Sequence, residues 1–360
     1  MPATPFRTTL ATFTAGLLCL LLASETALAA APSQSSRTGG MPSSLSQDII
    51  STRNAITPPQ KAEIDAFVGQ LSEILTESES QSAELLKARD LLIQSTRLAG
   101  VTPVFLRTYS EVVIENVGPL VYGDDPLKSE NALRVIAFLQ TPQALGILVE
   151  SLDPDRSRDA SRRLVAAGLL PTATAPGAKS NLDSASLTNS ARNIALSVRG
   201  ETDWVVVLEE LRALNQIAIN PLLSDQNRSE VRTIQFETYK SISDRIADSK
   251  KPSEMIFAIH RAMLGLRTQL INKSTATDFD STRVAQLLEQ MIIQIAKSSA
   301  SHWTAINGDS RFKNGYESTL KIGTQLLSLL KSPAAPAFSK LNAAFAKGPD
   351  ALKSEVSKLP

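Results

Sequence analysis

Apolar residues recur with one spacing in two stretches of this chain, residues 131–152 and 190–211, which lie 59 residues apart without a gap. Each stretch holds two sets of four apolar residues, and each set has the i, i+3, i+4, i+7 spacing of one helix face. The first stretch contains Ala132, Val135, Ile136, Leu139, Leu145, Leu148, Val149 and Leu152. Adding 59 to each number gives Ala191, Ile194, Ala195, Val198, Trp204, Val207, Leu208 and Leu211. A recurring helical pair is typical of stacked helical repeat proteins.

Helix start signals are frequent along the chain. From residue 57 onward, a threonine or aspartate stands directly before a proline at Thr57, Thr102, Asp125, Thr141 and Asp153. The side-chain oxygen can cap a free backbone N–H group, and proline suits the first helical position because its missing N–H would have had no partner there. Frequent restarts with short connections indicate antiparallel helical hairpins. We therefore predict an all-α fold, arranged as an α-solenoid of such hairpins.

The central part of the chain resembles the HEAT-repeat family of armadillo-type α-solenoids. Residues 131–139 resemble an inner helix, residues 141–152 the turn and the next outer helix, and residues 158–168 the following inner helix. Residues 171–186 are a low-complexity loop by composition, and subtracting these 16 residues from 59 leaves 43, within the usual repeat length. The resemblance covers about 130–220 and implies a binding surface. We divide the helical part into an N-terminal segment 60–125, HEAT-like repeats 126–220, a C-terminal segment 221–348 and a tail 349–360.

The N-terminus has the features of an export signal. Arg7 precedes an apolar run from Leu10 to Ala23, and Ala27 to Ala29 forms an A-x-A cleavage site. We predict a signal peptide over 1–31, a disordered Ser/Thr/Pro-rich linker over 32–59, and a periplasmic or extracellular mature chain. Cys19 is the only cysteine, so the mature chain would have no disulfide. No later run is apolar and long enough to predict an integral membrane segment.

Composition narrows the range of functions. The chain has 37 Lys+Arg and 36 Asp+Glu, and this balance argues against nucleic acid as a partner. The two histidines are too few for a multi-histidine metal site, and no H-E-x-x-H, G-x-S-x-G, G-x-G-x-x-G or Walker-type motif occurs. Ser318 and Lys321, like Ser328 and Lys331, match S-x-x-K, but the S-D-N and K-T-G elements that accompany this motif in penicillin-binding enzymes are missing. We predict no metal, no cofactor and no catalytic residue. The main hypothesis is a non-enzymatic binding or scaffolding protein whose partner is a protein or an anionic envelope polymer.

Arginines are concentrated around residue 160. Four of them lie between residues 156 and 163, with Asp159 as the only acidic residue among them. If the HEAT resemblance holds, this helix would lie on the inner side of the repeat, beside arginines of neighbouring inner helices. An electropositive strip of that kind would suit an acidic partner, whereas an ordinary solvated helix face would have no such role. The predicted binding residues are Arg134, Arg158, Arg162, Arg163 and Arg192.

Residues 301–316 are unusually rich in aromatic and polar side chains. As a loop between two long helices, this segment could form a ligand platform, or the site of an enzyme acting on an envelope or extracellular polymer. Alternatively, its aromatic residues could fasten the loop to the helices beneath it. The candidate ligand residues are His302, Trp303, Asn307, Asp309, Arg311 and Tyr316.

Overall fold

The structure, a computed structural model, describes residues 41–79, 82–176, 180–271, 281–330 and 336–359. These ranges contain helices and no strand, which confirms the predicted all-α class. The first eight helices are α1 (Gln47–Ile50), α2 (Pro58–Glu77), α3 (Ala83–Arg97), α4 (Pro103–Val121), α5 (Pro126–Ala137), α6 (Pro142–Glu150), α7 (Ala160–Ala173) and α8 (Ser184–Gly200). The others are α9 (Trp204–Ala218), α10 (Asp225–Asp248), α11 (Met255–Ile271), α12 (Ser281–Ser301), α13 (Trp303–Gly308), α14 (Ser310–Leu330), α15 (Pro336–Lys347) and α16 (Pro349–Val356).

Side-chain caps begin several of these helices where the sequence predicts them. The Thr102 hydroxyl accepts a hydrogen bond from the Phe105 N–H at 3.2 Å, and the Asp125 carboxylate accepts one from Leu127 at 3.0 Å. Asp153 differs, because its carboxylate accepts from the Asp155 N–H at 2.9 Å and closes a turn. Helix α7 begins only at Ala160, so the helix start predicted at Asp153 is wrong.

Helices that are two places apart in the chain pack against each other. One set, called row one, contains α2, α4, α6, α8, α10 and α12, each of which contacts the next. The other set, called row two, contains α3, α5, α7, α9, α11 and α14, which also contact one another in that order. Contacts between consecutive helices, such as α2 with α3 and α8 with α9, join the two rows. The apolar residues of both rows form one hydrophobic core.

The 59-residue repeat predicts correctly that most of its apolar residues are buried. The helices that it pairs, however, do not occupy equivalent positions in the fold. Fourteen of its sixteen apolar residues are buried, whereas Trp204 and Leu208 are only partly buried. A shift of 59 residues moves from α5 to α8, which is three helices along the chain. Because three is odd, the shift also moves from row two to row one, and the two stretches therefore have different neighbours.

The connection after α7 is shorter than the predicted loop 171–186. Helix α7 continues through Pro171 to Ala173, and α8 begins at Ser184. Within the connection, Leu182 is buried, and the Asn181 N–H donates to the carbonyl oxygen of Gln140 at 3.2 Å. The described part of this segment is therefore packed against the core.

The predicted linker 32–59 is wrong for its second half. Residues 32–40 lie outside the described residues, but Leu45, Ile49 and Ile50 are buried in the core. The Ile50 carbonyl oxygen also accepts a hydrogen bond from the Thr102 N–H at 3.2 Å. Three apolar residues in and next to the short helix α1 are enough to hold this segment, because their burial offsets the entropy of ordering it.

The predicted signal peptide, residues 1–31, lies outside the described residues. Among the residues that are described, no helix combines the length and the apolar character that crossing a membrane requires.

Candidate functional site

Arg163, one of the predicted binding residues, lies in a buried ion pair. Its guanidinium group donates to the Glu201 carboxylate at 2.6 and 3.2 Å and to the Ser157 carbonyl oxygen at 2.7 Å. Arg163 is 7% exposed and Glu201 is fully buried. Burial alone would raise the pKa of Glu201, but Arg163 and the N–H groups of Thr202 and Asp203 lower it below the ordinary value. Arg163 therefore joins α7 to the connection between α8 and α9 and cannot contact a partner.

The remaining predicted arginines do not form a single positive strip. Arg134 pairs with Glu130 on its own helix, and Arg192 pairs with Glu230. Arg162 donates to the Gly123 carbonyl oxygen at 2.7 Å, while Arg158 is exposed. Arg192 also lies on α8 in row one, whereas Arg134 and Arg162 lie in row two. The expected concave strip is therefore not assembled, because nearby carboxylates and carbonyl groups engage most of its members.

The segment 301–316 is helical, not a loop between helices. It contains α13 and the first turns of α14, and the Asp309 carboxylate caps α14 by accepting from the Arg311 N–H at 2.8 Å. The His302 ring nitrogen Nε2 lies 2.7 Å from the Ser249 carbonyl oxygen. Asn307 is exposed. The predicted ligand platform is therefore replaced by capping and by contacts between helices.

The aromatic residues of this segment pack inward. Trp303 forms an edge contact with Phe345, with ring centroids 5.0 Å apart. Tyr316 is fully buried, and its hydroxyl accepts from the Ser253 N–H at 3.3 Å. These two residues therefore fasten the segment to neighbouring helices, as the alternative prediction for 301–316 states. Of the six candidates, Arg311 alone lines the larger groove described next.

A groove of about 960 Å³ lies along row two, and it is lined by residues of α7, α9, α11 and α14. This volume is typical of ligand-binding clefts. The residues that define its character are Trp204, Leu208, Arg212, Phe257, Arg261 and Arg311. We call this surface the row-two groove and treat it as the candidate functional site.

Aromatic rings form one wall of the row-two groove. The Trp204 and Phe257 centroids are 5.4 Å apart in an edge arrangement, and Phe257 stacks on Phe312 at 5.5 Å. The Arg311 guanidinium carbon lies 5.3 Å from the Phe257 ring centroid. A Cβ atom on Gly315 would lie 2.9 Å from Phe257 Cε1, so glycine is needed for α14 to approach the ring. The wall is thus held in place by close helix packing.

The charged residues that line the groove are mostly cationic. Its lining holds Arg212, Arg261 and Arg311 against a single carboxylate, Glu209, which pairs with Arg212. Arg311 pairs with Glu254 at 3.0 Å, and both side chains are more than one third exposed. Arg261 is exposed, and the described residues include no carboxylate paired with it. The groove therefore has a positive excess that favours an acidic ligand.

Neutral polar groups also line the groove. Gln216, Gln269 and Asn314 present side-chain amides, which can both donate and accept hydrogen bonds. The Gln269 amide donates to the Asn215 carbonyl oxygen at 2.9 Å and links α11 to α9. Burial, together with the nearby Arg261 charge, lowers the pKa of His260 and so favours its neutral form.

A smaller depression of about 550 Å³ brings two carboxylates near the 301–316 segment. Its lining includes Glu254 and Asp309. Glu254 is engaged with Arg311, and Asp309 with the first N–H groups of α14. No group of three or more His, Cys, Asp and Glu side chains within the described ranges could hold a metal ion. This depression thus offers two acids that already have structural partners.

A second buried carboxyl group, Glu210, gives the protein a predicted pH dependence. Burial, with a further contribution from the Glu201 charge, raises the pKa of Glu210 to about 8, although Ser197, Arg163 and Arg245 oppose the rise. Below about pH 4.5 the group is protonated in both folded and unfolded chains. Between about pH 4.5 and 8 only the unfolded chain loses the proton, so the free energy of unfolding should fall by up to about 1.4 kcal/mol per pH unit.

Urea denaturation from pH 5 to 8 would measure this fall, and Glu210→Gln is the matched control because it cannot ionise. We expect the variant to flatten the pH profile and to be more stable than the parent protein at pH 8. A parent profile that rises toward pH 8 would contradict the assignment.

The row-two groove leaves little trace in the sequence because its residues are far apart in the chain. Trp204 and Leu208 occupy apolar positions of a helix face, which predicts core burial and gives no sign of partial exposure. The local sequence contains one sign of the groove. Phe257 and Leu264 give α11 a second apolar face. A scan against protein-family models and searches of curated proteins and of solved structures found no match to this chain.

Proposed function

We propose that this protein is an exported, non-enzymatic binding or scaffolding protein whose row-two groove receives a protein partner. The observation that carries the proposal is the groove itself, which combines an aromatic wall, exposed arginines and side-chain amides on α9, α11 and α14. Aromatic residues and arginine are enriched where proteins bind one another. Export is supported by the signal-like residues 1–31.

The arrangement that we propose for the helices is a HEAT-like α-solenoid. The contacts between successive helices of each row support this arrangement, because stacked hairpins contact their nearest neighbours in the same way. In a solenoid, one row of helices forms an extended binding surface. The row-two groove lies on α7, α9, α11 and α14, which are successive members of one row.

An anionic envelope polymer is a second candidate partner, but the charges favour it less. Recognition of a polyanion needs many available cations, whereas Arg134, Arg163 and Arg192 already have carboxylate partners. An enzyme acting on such a polymer is a further candidate, supported by Glu254 and Asp309 in the smaller depression. To act as catalytic acids, Glu254 and Asp309 would first have to break their present interactions with the Arg311 guanidinium group and with the first N–H groups of α14.

Site-specific photo-cross-linking tests the proposal. A p-benzoylphenylalanine placed at Leu208 lies in the groove, and one placed at Leu196 serves as the control, since Leu196 is 60% exposed on α8 in row one. After irradiation in the extract of the native source, we expect a discrete adduct at Leu208 in which mass spectrometry finds peptides of a second protein, and no such adduct at Leu196.

The other outcomes separate the alternatives. An adduct that contains peptides of this protein alone, and whose added mass a glycosidase removes, would favour a polymer. Equal adducts at both positions would contradict a role for the groove. Turnover of an envelope polymer that is lost in Asp309→Asn, with the fold retained, would favour the enzyme.

A further inference from the structure

We infer that the row-two groove binds an extended acidic peptide segment of about seven to nine residues that carries a large apolar or aromatic side chain. This inference rests on the proposed function and specifies its ligand. Three properties of the groove support it: its length, its aromatic wall and its charge.

The length of the groove favours an extended chain over a small compact ligand. Its lining comes from α7, α9, α11 and α14, which contact one another in that order. Packed helices lie about 8–10 Å apart, so three spacings give about 24–30 Å. An extended peptide advances about 3.3 Å per residue and would need about seven to nine residues to cross the four helices.

The aromatic wall supplies the apolar contact. Trp204 is partly exposed at the groove, and its ring meets Phe257, which stacks in turn on Phe312. Leu208, one helical turn after Trp204, is also partly buried and lines the groove. A large apolar or aromatic side chain placed here would bury these surfaces and gain the contact energy of an aromatic pair.

The charge of the groove favours carboxylates in the same segment. Arg261 is exposed on α11, and Arg311 forms only a solvent-exposed pair with Glu254, which contributes little in isolation. The Arg212 side chain is also 62% exposed, although its partner Glu209 is mostly covered. An incoming carboxylate could pair with Arg261 without displacing a described carboxylate. The side-chain amides of Gln216 and Asn314 match the donors and acceptors of a peptide backbone.

Selection from a random nine-residue peptide library displayed on phage, against the purified protein, tests this inference. We expect enriched sequences to combine Asp or Glu with Phe, Tyr, Trp or Leu. In fluorescence anisotropy at low salt, Arg261→Ala should weaken binding of an enriched peptide about tenfold or more. Arg267→Ala is the matched control, because Arg267 is exposed on the same helix but does not line the groove, and it should change affinity less than about twofold.

Several results would overturn the inference. They are failure to enrich any peptide, enrichment of basic or uncharged sequences, and equal effects of the two arginine variants. Tight binding of a control nonapeptide of alternating Asp and Gly would indicate a general polyanion surface and would also contradict it. A protein adduct at Leu208 combined with any of these results would leave the proposed function intact and remove only the ligand class.

Discussion

Replacing Arg163 with alanine should lower the free energy of unfolding by about 3–5 kcal/mol, because it leaves a carboxylate buried without its counter-ion. Glu201 is fully buried, and both of its oxygens accept from the Arg163 guanidinium group. After the replacement, the carboxylate would keep the N–H groups of Thr202 and Asp203 as donors, while Arg245 donates to the backbone carbonyl of Glu201 and not to its carboxylate. Chemical denaturation at pH 7 measures the change.

The exposed pair Arg192–Glu230 provides the control. Both side chains are more than one third exposed, so Arg192→Ala should cost less than about 1 kcal/mol. Replacing both buried partners, as Arg163→Met with Glu201→Leu, should cost less than Arg163→Ala alone, since no charge is left unpaired. Equal losses for Arg163→Ala and Arg192→Ala would contradict the buried pair.

Replacing Leu148 with alanine should cost about 2–5 kcal/mol of the free energy of unfolding, the usual range for a buried leucine. Leu148 is fully buried on α6. Its repeat counterpart Leu208 is only partly buried and faces the groove, so Leu208→Ala should cost about 1 kcal/mol or less. The difference follows because a cavity forms only where the surroundings enclose the removed atoms.

Thermal or urea denaturation of the two variants checks this prediction. Equal losses would show that the two leucines are equivalent, as the 59-residue shift implies. A larger loss at Leu208 would contradict the burial of both residues.

The fold class could be predicted because its signals are local. A cap such as Thr102 bonds to a residue three positions later, and the apolar spacing of α6 lies within nine residues. The helices could therefore be predicted, because the interactions that indicate them join residues less than ten positions apart. The assignment of helices to rows depends on packing between segments, and the 59-residue shift contains no information about it.

The predicted site residues failed for a related reason. The partner of Arg163 is Glu201, 38 positions later, and the partner of His302 is Ser249, 53 positions earlier. Neither pairing leaves a mark in the local sequence. A cluster of arginines therefore predicts positive potential only when the carboxylates that neutralise it are known.

The row-two groove could not be predicted for a third reason. It forms where side chains of four helices are all incompletely covered, and partial exposure of Trp204 depends on the spacing of α9 and α11. Gly315 sets part of that geometry through its contact with Phe257, but a glycine inside a helix has many possible causes. The site is a property of the packed helices.

The most direct test of the account is iodide quenching of Trp204 fluorescence. The chain has two tryptophans, so Trp303→Phe leaves Trp204, which lines the groove, as the only reporter. The partner isolated by cross-linking, or a selected acidic peptide, is added at saturating concentration, with binding confirmed by calorimetry. The account predicts that binding reduces the quenching constant by at least about half, because the ligand covers the indole ring. Binding with an unchanged quenching constant would show that the partner contacts another surface, and would contradict the assignment of the row-two groove.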